Sequence, residues 1–157
     1  MGIYELNRVE SLLNGMAYAE ETPESSKNEI RDFLTSTIGY EPAPLGFLNR
    51  SMDFYRKEFS GNVLFVVASD DKQWCQSNIK PLNNDTIFSN LKTVGEDMAL
   101  MSLCNNSVVT AGTFSWWCAW FAGGKVVYWK GFPKSGTFLE DGMNRTDYYP
   151  AEWIGMD

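Results

Sequence analysis

Five consecutive apolar residues, Val63-Leu64-Phe65-Val66-Val67, run without a polar break toward Ser69-Asp70-Asp71. A strand with one face in water alternates apolar and polar side chains. A strand without that alternation needs cover on both faces, as in a parallel sheet with helices above and below. Residues 108–111 (Val-Val-Thr-Ala) and Lys125-Val126-Val127-Tyr128-Trp129 read the same way, and Thr86-Ile87-Phe88 makes a shorter strand. Between them lie helical patterns. Leu48, Met52, Tyr55 and Phe59 have helical spacing within residues 47–59, and Asp70-Asp71 cap a helix that runs through Trp74 to Ile79. This alternation predicts an α/β domain over residues 47–157 with an open, mainly parallel sheet. Lys125 to Trp129 is its last clear strand; from Gly131 onward the Gly-, Pro- and aromatic-rich tail reads as a segment wrapped over the sheet.

Residues 1–46 differ in character. Tyr4, Leu6, Val9, Leu12 and Leu13 have partial helical spacing, residues 20–26 (Glu-Glu-Thr-Pro-Glu-Ser-Ser) break it, and Ile30, Phe33 and Leu34 suggest the inner face of a short helix. Gly39-Tyr40-Glu41-Pro42-Ala43-Pro44 is a turn or extended linker. The segment reads as a polar, partly helical lead-in, and it shows no chemistry.

The densest pattern is residues 96–124. Asp97 opens an apolar run (Met98, Ala99, Leu100, Met101, Leu103, Cys104) too dense for a surface helix. After the strand at 108–111 come Gly112 and Thr113, whose hydroxyl suits a helix cap. A strand thus ends at a helix N-terminus, with Thr113, Phe114 and Ser115 at the junction. Backbone N–H groups and the positive end of the helix dipole suit a phosphate there, although an ordinary strand–helix connection has the same pattern. Ligands of open α/β sheets bind beyond the carboxyl ends of the strands. Asp70, Asp71, Asp97 and residues 113–115 can all fall on that edge, so the topology supports one shared site.

Composition narrows the chemistry. The 157 residues contain no histidine, which excludes Ser-His-Asp and Cys-His arrangements and every His-based zinc site. Cys75, Cys104 and Cys118 are scattered, odd in number and without metal-ligand spacing. A net charge of −7 and a pI near 4.6 argue against a general nucleic-acid or anionic-membrane surface, yet allow a local anion pocket. No apolar run approaches about 20 residues, and the first residues lack a basic and an apolar region of signal type. The expectation is a chain that carries no anchor or secretory signal of its own.

Four blocks then carry a resemblance. Phe65-Val66-Val67-Ala68-Ser69-Asp70-Asp71 with Trp74-Cys75, Asp97-Met98 with residues 100–104, Thr113-Phe114-Ser115-Trp116-Trp117 with Ala119-Trp120, and Pro150-Ala151-Glu152-Trp153-Ile154-Gly155 occur in that order. Together they resemble the C-terminal motifs of the α-1,2-fucosyltransferase family (glycosyltransferase family 11-like), over roughly residues 52–156.

The resemblance implies a Rossmann-like sheet that is the C-terminal, donor-binding lobe of a GT-B-like glycosyltransferase. It implies transfer of fucose from GDP-fucose to a terminal galactose of a glycan, with no metal or other cofactor, in a Golgi enzyme anchored by sequence outside this chain. Backbone groups at Thr113 and Phe114, with the Thr113 and Ser115 hydroxyls, would contact the diphosphate. Asp97 is the candidate for guanine or ribose recognition, since a carboxylate accepts from guanine N–H donors, or else a helix cap. Asp70 and Asp71 are caps or residues at the donor's edge. Trp116, Trp117 and Trp120 read as core, with a sugar-stacking face as the alternative.

The family's His-x-Arg-Arg-x-Asp strand, whose arginine holds the diphosphate, has no counterpart between the lead-in and residue 47. The expectation is therefore an incomplete or catalytically impaired enzyme, with a non-catalytic nucleotide-sugar-binding or interaction module as the alternative. No residue is singled out as catalytic. Four Asn-x-Ser/Thr sequons begin at Asn49, Asn84, Asn105 and Asn144; the one at Asn105 leads into a buried strand and fits glycosylation least.

Overall fold

The computed structural model describes the backbone of Gly2–Glu5 and residues 32–157. Six strands form one sheet: β1 (Gly2–Glu5), β2 (Phe65–Ser69), β3 (Thr86–Phe88), β4 (Asn106–Val109), β5 (Lys125–Trp129) and β6 (Ile154–Met156). Every neighbouring pair is parallel, and the order across the sheet is β3-β2-β1-β4-β5-β6. That is the doubly wound Rossmann order. From β1 the chain builds outward on one side to β3. It then returns to the centre at β4 and builds outward on the other.

Helices cover both faces. α1 (Leu45–Glu58) and α2 (Lys72–Asn78) lie on one, α3 (Val94–Ser102) and α4 (Thr113–Ala122) on the other, and two four-residue helices, α5 (Phe138–Asp141) and α6 (Arg145–Tyr148), lie in the tail. The pleat sorts the strand residues between the layers. Phe65, Val67, Val108, Val127 and Trp129 pack with Phe47, Leu48, Met52, Tyr55, Cys75 and Ile79. On the reverse face Ala68 packs with Met101, Phe114 and Cys118, and Val109 and Val126 pack with Ala119, Tyr149 and Trp153. Each large side chain fully buried in this way contributes about 1.5–3 kcal/mol. This two-sided cover accounts for the apolar run from Phe65 to Ala68, whereas Leu64, just before the strand, is 49% exposed.

Three expectations need correction. Gly2–Glu5 is a strand, although Tyr4 had suggested helical spacing with the residues after it. Ile3 sits opposite Val67 on one side and Val108 on the other, so backbone pairing on two flanks outweighs a weak local periodicity. Second, the tail is more than a wrap. Ile154–Met156 adds a sixth strand on β5, with Val127 opposite Ile154, but three residues are too few to show a period. Third, Phe33 is 53% exposed rather than inward, and Leu34–Ile38 form a π-helical turn. Leu6, Val9, Leu12, Leu13, the break at residues 20–26, Ile30 and Arg31 lie outside the described residues. Strand bounds also shift by two residues: β2 was expected at 63–67 and β4 at 108–111, whereas β3 and β5 stand as read.

Candidate functional site at the carboxyl edge of the sheet

The order reverses between β1 and β4, and the crevice beyond their carboxyl ends is where a doubly wound sheet takes its ligand. β4 enters that crevice with Val108, Val109 and Thr110 buried. Gly112 follows with φ 78° and ψ −180°, a backbone region that is essentially open to glycine alone. This conformation turns the strand directly into α4. Gly112 therefore occupies the cap position, and Thr113 is the first helical residue rather than the cap; Gly112 has no side chain with which to cap the helix.

The three junction residues diverge. Thr113 is exposed. Phe114 is 9% exposed and packs with Ala68, Met101 and Cys118. Ser115 is 2% exposed, and its Oγ has no hydrogen-bond partner among the described residues. A buried hydroxyl left unpaired costs about 1–3 kcal/mol; Ser51 Oγ in α1 is left the same way, and Ser115 differs in lying at the first turn of a helix on the ligand edge.

Asp97 is 6% exposed and lies in the first turn of α3. Its Oδ1 accepts a hydrogen bond from Ser89 Oγ at 2.5 Å, which ties α3 to the carboxyl end of β3. The cap role is not its own. Thr93 caps α3, with Oγ1 accepting from the Glu96 N–H at 3.3 Å while the Glu96 carboxylate accepts from the Thr93 N–H at 2.9 Å. These bonds to Thr93 and Lys92 hold the Glu96 carboxyl below its usual range. The Thr-x-x-Glu pattern of a capping box stands at Thr93 to Glu96 in the sequence and is the signal that identifies it. No sequence signal marks Ser89. Within α4, burial pushes the Cys118 thiol up to about 12, and the charges of Asp97 and Cys104 add to the shift. Met98, next to Asp97, packs against the cluster that holds Phe114 and Cys118, so α3 lies against α4.

Asp71 caps α2, its Oδ1 accepting from the Trp74 N–H at 2.8 Å. Its own N–H donates to Ser69 Oγ at 3.0 Å and Asp70 Oδ1 at 3.1 Å. Asp70 is exposed in the turn. Both lie beyond the end of β2, on the edge shared with Asp97 and Thr113, with β1 between β2 and β4.

Trp117 and Trp120 depart from a core assignment, whereas Trp116 packs against the cluster of Val109, Ala119, Tyr149 and Trp153. Trp116 is half-buried and stacks on Trp120 at 5.3 Å, and its Nε1 donates to the Tyr148 carbonyl at 2.7 Å. Trp117 is 46% and Trp120 52% exposed. Only one side of α4 meets the sheet, through Phe114, Ser115, Cys118 and Ala119, so the opposite aromatic side faces solvent.

The arginines among the described residues are all engaged. Arg50 donates through Nε and Nη2 to the Asp157 carbonyl. Arg56 pairs with Asp85 at 2.7 Å and Asp53 at 2.8 Å, near the amino ends of β2 and β3. Arg145 donates to the carbonyls of Lys130, Phe132 and Pro133 and pairs with Glu140. It sits at the carboxyl edge, but as the clasp that holds the tail.

The family model described as Glycosyl transferase family 11 matches residues 32–157. The chain belongs to this family. Relatives include galactoside 2-alpha-L-fucosyltransferase SEC1 of Bos taurus, 34% identical over 117 residues, or 73% of this chain and 32% of that protein. Galactoside alpha-(1,2)-fucosyltransferase 1 of Rattus norvegicus is 34% identical over 115 residues, 71% of this chain and 30% of the relative. Galactoside alpha-(1,2)-fucosyltransferase 2 of the same species is 33% identical over 118 residues, covering 73% and 33%. The family 11 chain spans about a third of the length of these relatives. No solved structure matches it. Among its described residues no helix is long and apolar enough to cross a membrane. The matched region contains Asp70, Asp71, Asp97 and residues 113–115.

Proposed function

We propose that this chain is the donor-binding part of a galactoside α-1,2-fucosyltransferase, holding GDP-fucose at the carboxyl edge of its sheet for transfer to a galactose-terminated glycan. The observation that carries the proposal is the β4–α4 turn of a family 11 sheet. It lies at the point where the strand order reverses, its cap position is a glycine, and Ser115 presents a buried hydroxyl with no hydrogen-bond partner among the described residues. Dipole and hydroxyl both favour a diphosphate oxygen there. Asp97, at the start of α3, would accept from guanine or ribose donors in this reading. Asp70 and Asp71 line the outer end of the same edge. GDP-fucose acts as substrate, and no metal or other cofactor has a part in this reading. By relation to the family, the whole protein is a Golgi membrane glycoprotein.

Fucosyl transfer builds positive character on the sugar carbon and negative charge on the departing diphosphate, so a preorganised positive charge at the phosphates lowers the barrier. Among the described residues the arginines, Arg50, Arg56 and Arg145, are committed to carbonyls and carboxylates, which favours a second reading: a module that binds the nucleotide sugar without turning it over. Loss of one such contact costs about 3–4 kcal/mol, a factor of several hundred in rate. Assaying the chain with GDP-fucose and a terminal galactoside, beside a chain with a His-x-Arg-Arg-x-Asp strand restored, tests both readings. The expected outcome is turnover only in the restored chain, from a donor that both bind. Failure of both chains to bind the donor would overturn both readings.

A further inference from the structure

We propose that a cavity beside the start of α4 is a subsite for one neutral pyranose ring. The cavity has a volume of about 260 Å³ and is lined by Thr113, Trp116, Trp117, Asp147 and Tyr148. This is below the usual range of about 300–1,000 Å³ for drug-sized ligands; it suits a single sugar ring and is too small for a whole nucleotide sugar.

The lining has the chemistry of a sugar site. A pyranose has one face of C–H groups and a rim of hydroxyls, so it needs an aromatic plane beneath it and a hydrogen-bond acceptor at its edge. Trp116 and Trp117 meet edge to face, 4.9 Å apart at 78°. Both are held in place. Trp116 is fixed by its Nε1 bond to the Tyr148 carbonyl and by stacking on Trp120. Trp117 is stacked against Phe121 at 5.8 Å, yet remains 46% exposed, which leaves area for a ligand. Asp147 supplies the rim, and its Oδ2 accepts from Asn144 Nδ2 at 2.9 Å, which orients the carboxylate. A solvent-facing indole backed by a second aromatic ring on a helix costs exposure of apolar surface, and burial under a sugar recovers it. Thr113, on the cavity wall, is the first residue of the helix whose start is assigned to the diphosphate. A ring seated here therefore lies next to the leaving phosphate. That last point rests on the donor placement proposed above; the subsite itself rests on the cavity.

Saturation-transfer and chemical-shift NMR on the full chain, with methyl α-L-fucopyranoside and methyl β-D-galactopyranoside as separate probes, tests the assignment. GDP titrated by calorimetry into the same samples serves as the independent arm. One pyranoside is expected to bind weakly and to be displaced by its own excess, and which one binds tells a donor subsite from an acceptor subsite. Trp117→Ala and Asp147→Ala should each weaken binding by about tenfold, whereas Trp117→Phe, which keeps an aromatic plane, should stay within about threefold of the original. Circular dichroism and melting curves of each variant confirm the fold, and GDP affinity should not move. Binding of neither pyranoside, or binding unaffected by Trp117→Ala in a folded variant, overturns the subsite. Pyranoside binding without GDP binding keeps the subsite and removes the donor reading.

Discussion

Gly112 is the residue on which the β4–α4 turn depends. Its φ of 78° with ψ at −180° is a conformation that a side chain makes costly, by about 1–3 kcal/mol. Gly112→Ala should therefore lower the unfolding free energy by that amount, read as a shift in urea midpoint without a change in slope. Gly95 supplies the opposite sign. It sits inside α3, and an added Cβ would meet nothing within 4 Å, so Gly95→Ala should raise stability by about 0.5–1 kcal/mol. Equal effects from the two substitutions would contradict the strained turn. At this scale the sequence showed which residues line the edge but not their posture. Thr113 read as a cap because hydroxyls cap helices, and only the backbone angles of Gly112 reveal that the cap lies one residue earlier. Asp97 read as a site or cap residue, and its bond to Ser89 depends on how β3 and α3 are juxtaposed, which no local pattern records.

Between elements, Tyr55 joins α1 to the sheet. Its hydroxyl lies 2.8 Å from the Ser107 carbonyl and 2.7 Å from that of Lys125, at the amino ends of β4 and β5. One phenolic proton serves the two acceptors in turn, and burial raises the hydroxyl's pKa well above the ordinary tyrosine value. Tyr55→Phe keeps the ring and removes the donor, and should cost about 1–3 kcal/mol for the buried carbonyls left short. Chemical denaturation followed by tryptophan fluorescence measures it; a change below a few tenths of a kcal/mol would remove Tyr55 as a link. Elements with a long or two-sided signal were legible: α1 from its spacing, β2 and β5 from their unbroken apolar runs. The short strands at the sheet's centre and far edge were not. Gly2–Glu5 and Ile154–Met156 owe their state to partners distant in sequence. The solvent-facing indoles of α4 were missed because an apolar helix gives no sign of which side the sheet will take.

Across the whole molecule, the chain's first strand lies between β2 and β4 and completes a sheet whose other strands come from residues 65–156. Central strands exchange their amides only through the largest openings of a fold. The Ile3 to Glu5 amides should thus exchange about as slowly as those of Val66 to Ala68, and hydrogen exchange reads this directly. Fast exchange at Ile3 to Glu5 beside a protected β2 would contradict the six-stranded order. The same order places the reversal at β1 and β4, and the central claim is that a diphosphate binds at the helix start beyond it. Thr113→Glu tests that claim most directly. Position 113 is exposed and first in α4, so a carboxylate there favours the helix dipole by about 0.3–1 kcal/mol while repelling a phosphate at the same spot. Ser115→Glu would instead bury a charge and confuse binding with folding. Calorimetric titration of GDP into the wild-type chain and Thr113→Glu should show binding in the first and none in the second, with the variant's melting temperature unchanged or higher. Equal GDP affinity in the two proteins would contradict the account.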